Sequence, residues 1–194
     1  VKESKEMKDY TVRRYSFQEL EGEARAKAIE EMRNSLYEIV GESDITEYLT
    51  DVTMEALGGE SEGIRLAYSL SYCQGDGVAI YGTIKREDAP DLSWPEGSTY
   101  VELTRNQWGI HYSHYNSFNV DAYNEEDEVI EDSKILETQL RDLCRELESE
   151  GYKYIEGSCS EEVALDQLED AGDVFTIDGK WNIPAGIMKE EEAK

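Results

Sequence analysis

The sequence predicts an α+β fold, a single antiparallel sheet of about four or five strands with helices packed against one face. A small C-terminal hairpin completes the expected architecture. Three observations lead there. Apolar residues recur at helical spacing near both ends of the chain, they alternate with polar ones through its middle, and turn-forming residues separate the alternating runs.

Taken in order, Tyr10 to Phe17 alternates loosely and reads as a short edge strand. Ser16-Phe17-Gln18-Glu19 has the form of a capping box, with Gly22 delaying the regular turns behind it. Ala24, Ala28, Met32, Leu36 and Val40 then recur every four residues as one inward stripe, which Gly41 stops. Ser43 is the expected cap of a second helix, with Ile45, Leu49, Val52 and Ala56 inward and Gly58-Gly59 as its stop. Leu66, Tyr68, Leu70 and Tyr72 alternate with Ala67, Ser69 and Ser71, the pattern of a half-buried strand. Gln74-Gly75-Asp76-Gly77 turns it into a second alternating run, Val78 to Thr83, making a β-hairpin. Ala89 to Gly97 is a connection. Tyr100 to Arg105 and Ile110 to Tyr123 are two further strands joined at Asn106-Gln107-Trp108-Gly109.

The last third is helical again. Leu136, Leu140, Leu143 and Leu147 form a stripe that must face the sheet, and Gly151 is the expected stop. Ser160 caps another helix with Ala164, Leu165 and Leu168 inward and Gly172 at its end. Val174 to Ile177, Asp178-Gly179 and Trp181 to Ile183 have the pattern of the small hairpin. Neither a repeat nor a linker divides the chain, so residues 1–194 read as a single acidic domain with frayed ends at 1–8 and 189–194.

Charge is the loudest compositional signal. The 194 residues carry a formal net charge of −26. Solubility of a small domain needs only about 2–8 charges, and the excess imposes self-repulsion. Thirteen Tyr and three Trp argue for a folded core despite the polarity. A halophilic source, an acidic tail or simple drift would explain such a balance, and so would a surface built to attract a basic partner. Direct contact with nucleic acid or an anionic membrane is disfavoured, because both require basic patches. Cys73, Cys144 and Cys159 are an odd count without a repeated spacing, as expected of reduced thiols. No apolar run approaches the roughly 20 residues of a membrane span, and Val1 to Glu6 has no signal-peptide character, so a cytoplasmic location is expected.

Few residues invite chemistry. His111 and His114, placed on a strand three residues apart, would point to opposite faces, which does not suit zinc. Gly75-Asp76-Gly77 lacks the lysine and the following helix of a phosphate loop. The acidic run from Asp121 to Asp132 has Glu126 where a calcium loop requires glycine. Neither metal nor cofactor is therefore expected, and no catalytic residue. Cys73 with a nearby histidine is the one enzymatic alternative.

The late helix is more suggestive. Asp142, Glu146 and Glu150 fall at i, i+4 and i+8, a row with about 6 Å between neighbours, comparable with phosphates along a DNA strand. Glu137, Glu148, Glu161 and Glu162 extend the acidity, while Arg141 and Arg145 beside them are compatible with an ordinary solvated face.

Tyr68 to Gly82, containing Gln74-Gly75-Asp76-Gly77, resembles the SQGDGxxFxG hairpin of a group of uncharacterised phage and prophage proteins. Phe17 to Ala28 is similar to that group's first helix, and Leu140 to Gly179 to its ending; Tyr72-Cys73 departs from the usual residues before the turn. The resemblance implies a mobile-element origin. Joined to the acidity, it suggests by analogy the anti-restriction and anti-CRISPR proteins that mimic DNA. The expected activity is non-enzymatic inhibition of a host defence nuclease, a CRISPR effector or restriction enzyme. Contacts would come from Glu125, Glu126, Asp127, Glu128, Glu137, Asp142, Glu146 and Glu150, with Trp94 and Trp108 as exposed aromatic anchors. The expected partner is a basic protein surface. An antitoxin neutralising a basic toxin is the alternative.

Overall fold

Ser16 donates its backbone N–H to the Glu19 carboxylate at 2.9 Å, so the capping box forms, on a short 3-10 turn at Phe17–Glu19. A computed structural model describes residues 13–58, 63–172 and 174–181. Beyond that turn its elements are α1 (Gly22–Ile39), α2 (Glu42–Leu57), β1 (Arg65–Ser69), β2 (Gly77–Lys85), β3 (Tyr100–Arg105), β4 (Phe118–Tyr123), β5 (Val129–Ile130), α3 (Lys134–Ser158) and α4 (Glu161–Glu169). They fall into two compact units, Val1–Val40 with Gly157–Lys194, and Gly41–Glu156.

The first unit closes around Phe17, Leu20, Ala28, Leu168 and Phe175, with Ala24, Met32, Leu165 and Val174 packed against them. Of the expected inward stripe of α1, Ala24, Ala28 and Met32 join this cluster together with Ile29, whereas Val40 is the C-cap beyond the helix. Ser160 caps α4 as its position suggests, its Oγ accepting from the Val163 N–H at 3.3 Å. The terminal hairpin is reduced to isolated antiparallel bridges, Phe175 to Trp181 and Tyr15 to Phe175. Tyr10 to Val12 of the expected edge strand, Gly59, Ile183 and both expected frayed ends lie outside the described residues.

The second unit is built on one antiparallel sheet in the order β1-β2-β3-β4-β5. Registers such as Ile84 to Val101 and Val101 to Ala122 put Val78, Ile80, Ile84, Leu103, Phe118 and Val120 in one buried layer. Helix α3 covers that layer with Leu136, Leu140, Cys144 and Leu147, all fully buried. Each such leucine contributes about 1.5–3 kcal/mol by leaving water. Arg141 ties the helix to the sheet by donating to the Phe118 carbonyl at 3.2 Å. Helix α2 packs on α3 through Tyr48, whose ring stacks on Tyr154 at 4.6 Å.

Four expectations need correcting. Gly41 is the N-cap of α2, so Ser43 lies inside the first turn and not ahead of it. The inward line of α2 is Ile45, Leu49, Thr53 and Leu57, whereas Ala56 is exposed. Thr53 tolerates full burial because its hydroxyl donates to the Leu49 carbonyl at 2.6 Å. Gly151 does not end α3, which continues to Ser158. It is there for space: a Cβ on Gly151 would stand 2.5 Å from a Leu70 methyl and 3.6 Å from Leu49. Finally, only Phe118–Tyr123 of the run from Ile110 pairs as a strand. Residues 106–117 form a loop pinned by Asn106, whose amide donates to the Asn116 carbonyl at 2.8 Å and whose Oδ1 accepts from the Trp108 and Gly109 N–H groups.

Candidate functional site

The β1–β2 turn is organised by one carboxylate. Asp76 accepts from the Ser71 and Cys73 N–H groups, each at 2.8 Å, and from the hydroxyls of Ser69 at 2.7 Å, Ser71 at 3.1 Å and Tyr152 at 2.8 Å. Partial desolvation pushes this carboxyl up, but the Cys73, Ser69, Tyr152 and Ser71 bonds together outweigh it and hold Asp76 well below the usual carboxylate range. Desolvation and the bond to Asp76 push the Tyr152 phenol up to about 12. Tyr152→Phe removes one of the five donors and is expected to cost about 1.5 kcal/mol, measured by denaturant unfolding.

The turn glycines receive the 106–117 loop. A Cβ on Gly75 would lie 2.8 Å from the Tyr112 ring, and one on Gly77 would lie 2.6 Å from the His114 Cβ. His111 and His114 therefore sit in this loop and not on a strand. The Tyr112 and His114 rings stack at 5.8 Å, and His114 Nδ1 accepts from the Asn116 N–H at 3.0 Å. Between turn, loop and α3 lies a cleft of about 560 Å³ lined by Asp76, Trp108, Tyr112, His114, Tyr115 and Glu148 among others. Burial and the negative charge of Asp76 raise the Glu148 carboxyl above its ordinary value, against a smaller opposing effect of His114. Cys73 is exposed beside this turn, with its thiol 3.5 Å from the Ser71 carbonyl. Cys144 and Cys159 are buried, and desolvation raises the Cys144 thiol to about 12.

The acidic row on α3 is less bare than its spacing implies. Asp142 is paired with Arg145, and Glu150 with Lys153 at 2.7 Å and with the Tyr48 hydroxyl at 3.1 Å. Lys153 foremost, then Tyr48, holds the Glu150 carboxyl below its ordinary value. Glu137 is bonded to Arg141 at 2.6 Å. Glu146 alone of these four is exposed with no ion pair among the described residues. Trp108 is 54% exposed. Trp94 is not an exposed anchor: it is half-buried and its indole N–H donates to the Ala89 carbonyl at 2.8 Å.

The other face of the sheet is where carboxylates stand unneutralised. Register places Glu102 of β3 directly opposite Asp121 of β4, beside the pair Tyr100 and Tyr123, whose rings stack at 5.0 Å. Neither Glu102 nor Asp121 has an ion pair among the described residues. Desolvation, Asp121 and Glu102 raise the Tyr123 phenol. The adjoining β4–β5 turn contributes exposed Glu125, Glu126, Asp127 and Glu128. Asp127 accepts from the Tyr100 hydroxyl at 2.8 Å, a bond that with desolvation raises that phenol to about 12. Glu128 accepts from the Asn124 amide at 3.0 Å, and Glu125 lines a hollow of about 660 Å³ together with Lys85 and Arg86. The acidic turn was legible from sequence; the Glu102–Asp121 pair was not, because only register makes them neighbours.

No family model matches this chain, and no curated protein or solved structure shows significant similarity to it. Among the described residues no three His, Cys, Asp or Glu side chains converge as metal ligands, and no helix is long and apolar enough to cross a membrane.

Proposed function

We propose that this chain is a phage-type inhibitor of a host defence nuclease, occupying a basic DNA-binding groove with carboxylates in place of phosphates. The carrying observation is the opposed pair Glu102 and Asp121 on the open sheet face. Like charges directly across a ladder are destabilising, so a sheet that retains them uncompensated is arranged for something other than its own stability. The β4–β5 turn extends the same negative surface with Glu125, Glu126, Asp127 and Glu128. Stacked Tyr100 and Tyr123 give it a rigid aromatic floor, of the kind that anchors interfaces at small entropic cost. The resemblance of the Tyr68–Gly82 hairpin to phage proteins supports the biological setting. The row on α3, largely engaged with its own cations, contributes chiefly through Glu146.

The test is inhibition of DNA cleavage by restriction nucleases and CRISPR effectors, with the chain titrated at rising salt. Inhibition should weaken with salt, because paired charges are screened. Glu102→Gln with Asp121→Asn should cut potency roughly tenfold while leaving the melting temperature unchanged or slightly higher. Inhibition indifferent to salt and to both substitutions, or none against any nuclease, would overturn the reading.

A further inference from the structure

The cleft between the β1–β2 turn, the 106–117 loop and α3 is lined by aromatic rings and by carboxylates. Trp108, Tyr112 and Tyr115 line it, and so does Glu148. Asp76 also reaches it, but its oxygens are taken up by five donors from within the fold. Glu148 differs: it has no hydrogen bond or ion pair among the described residues. A half-buried carboxylate left over among aromatic faces calls for a cation that brings both charge and a flat apolar surface.

From this geometry we infer that the cleft is a receptor for an arginine side chain of a protein partner, with the guanidinium stacked among Trp108, Tyr112 and Tyr115 and paired to Glu148. Charge complementarity selects a cation, and the fold itself shows which kind suits such surfaces. Arg145 already lies 3.9 Å over one of these rings, that of Tyr115. Arg141 over Phe118, Arg105 over Tyr81 and Arg25 over Phe17 repeat the arrangement, at 5.2, 4.9 and 4.0 Å. Planar guanidinium stacks on a ring and forks onto a carboxylate at once, which an ammonium does not. The cleft also has room to admit such a side chain, at about 560 Å³. The inference deepens the inhibitor reading, since basic DNA-binding grooves are rich in arginine, yet it concerns a different part of the surface from the Glu102–Asp121 pair.

The full chain is titrated with a hexa-arginine peptide, with hexalysine alongside, while the indole N–H of Trp108 is followed by nuclear magnetic resonance. The arginine peptide should shift that signal and bind more tightly than the lysine peptide. Glu148→Gln should weaken binding roughly five- to tenfold, and Trp108→Ala by a similar factor. Neither should lower the melting temperature, since Glu148 has no hydrogen-bond or ion-pair partner among the described residues and Trp108 is exposed. Glu102→Gln with Asp121→Asn should leave the Trp108 shift intact. No shift at Trp108, equal binding of both peptides, or a shift unchanged by Glu148→Gln would overturn the inference. A cleft that binds the arginine peptide in a chain that inhibits no nuclease would refute the inhibitor reading alone.

Discussion

Asp76→Asn is expected to lower stability by about 2–3 kcal/mol at neutral pH, read from denaturant unfolding. The carboxylate accepts from the Ser71 and Cys73 N–H groups and from the Ser69, Ser71 and Tyr152 hydroxyls. An amide retains one acceptor oxygen and brings an NH₂ that faces the same donors, so several lose their partner. The loss has a defined pH dependence. Because these hydrogen bonds, working against desolvation, hold the native carboxyl below its ordinary value, the group stabilises the fold fully above the unfolded carboxyl's pKa of about 4, and progressively less as the pH falls through the native value. The difference between wild type and Asp76→Asn should therefore be constant from neutrality down to about pH 5 and shrink below it. A difference that does not change on acidification would mean that the charge of Asp76 is not what organises the turn.

Gly77→Ala is expected to cost about 2–4 kcal/mol and to lower the melting temperature by roughly 5–15 °C. Two causes act together. Gly77 has a φ of +150°, which an L side chain rarely adopts. Its Cβ would stand 2.6 Å from the His114 Cβ and 2.9 Å from the His114 Cα, so backbone and not a flexible side-chain end has to move. The 106–117 loop would be pushed off the turn. Chemical shifts of Trp108 and Tyr112 should change in Gly77→Ala even where the chain remains folded. A variant as stable as the wild type, with those signals in place, would show that the loop does not rest on the turn.

The two sides of the cleft were unequally readable. The turn announced itself through Gln74-Gly75-Asp76-Gly77 between two alternating runs, because turn chemistry is local. The loop opposite it did not. Residues from Ile110 carry enough aromatic and β-branched character to read as a strand, and nothing nearby signals that Asn106 bonds both ends of the segment into a loop. Gly151 misled for a related reason. A glycine late in a helix usually marks its end, but here it clears room for Leu70, a residue far away in sequence. The α3 row shows the same limit in electrostatics: its residues do share one helix, while its charge was already shared with Arg145, Lys153 and Tyr48.

By itself the sequence determined what depends on period and composition: an α+β chain, one antiparallel sheet, a leucine stripe on α3 and a large negative charge. Those properties are carried by neighbours along the chain or by simple totals, so no fold is needed to see them. Only the tertiary structure decided which charges are free and which rings meet. Register set Glu102 against Asp121, and packing brought Tyr152 to Asp76 while leaving Glu148 without a hydrogen-bond donor among the described residues. The strand pair and the Tyr152–Asp76 bond join residues that are not neighbours along the chain, and they exist only once the strands and helices have been brought together.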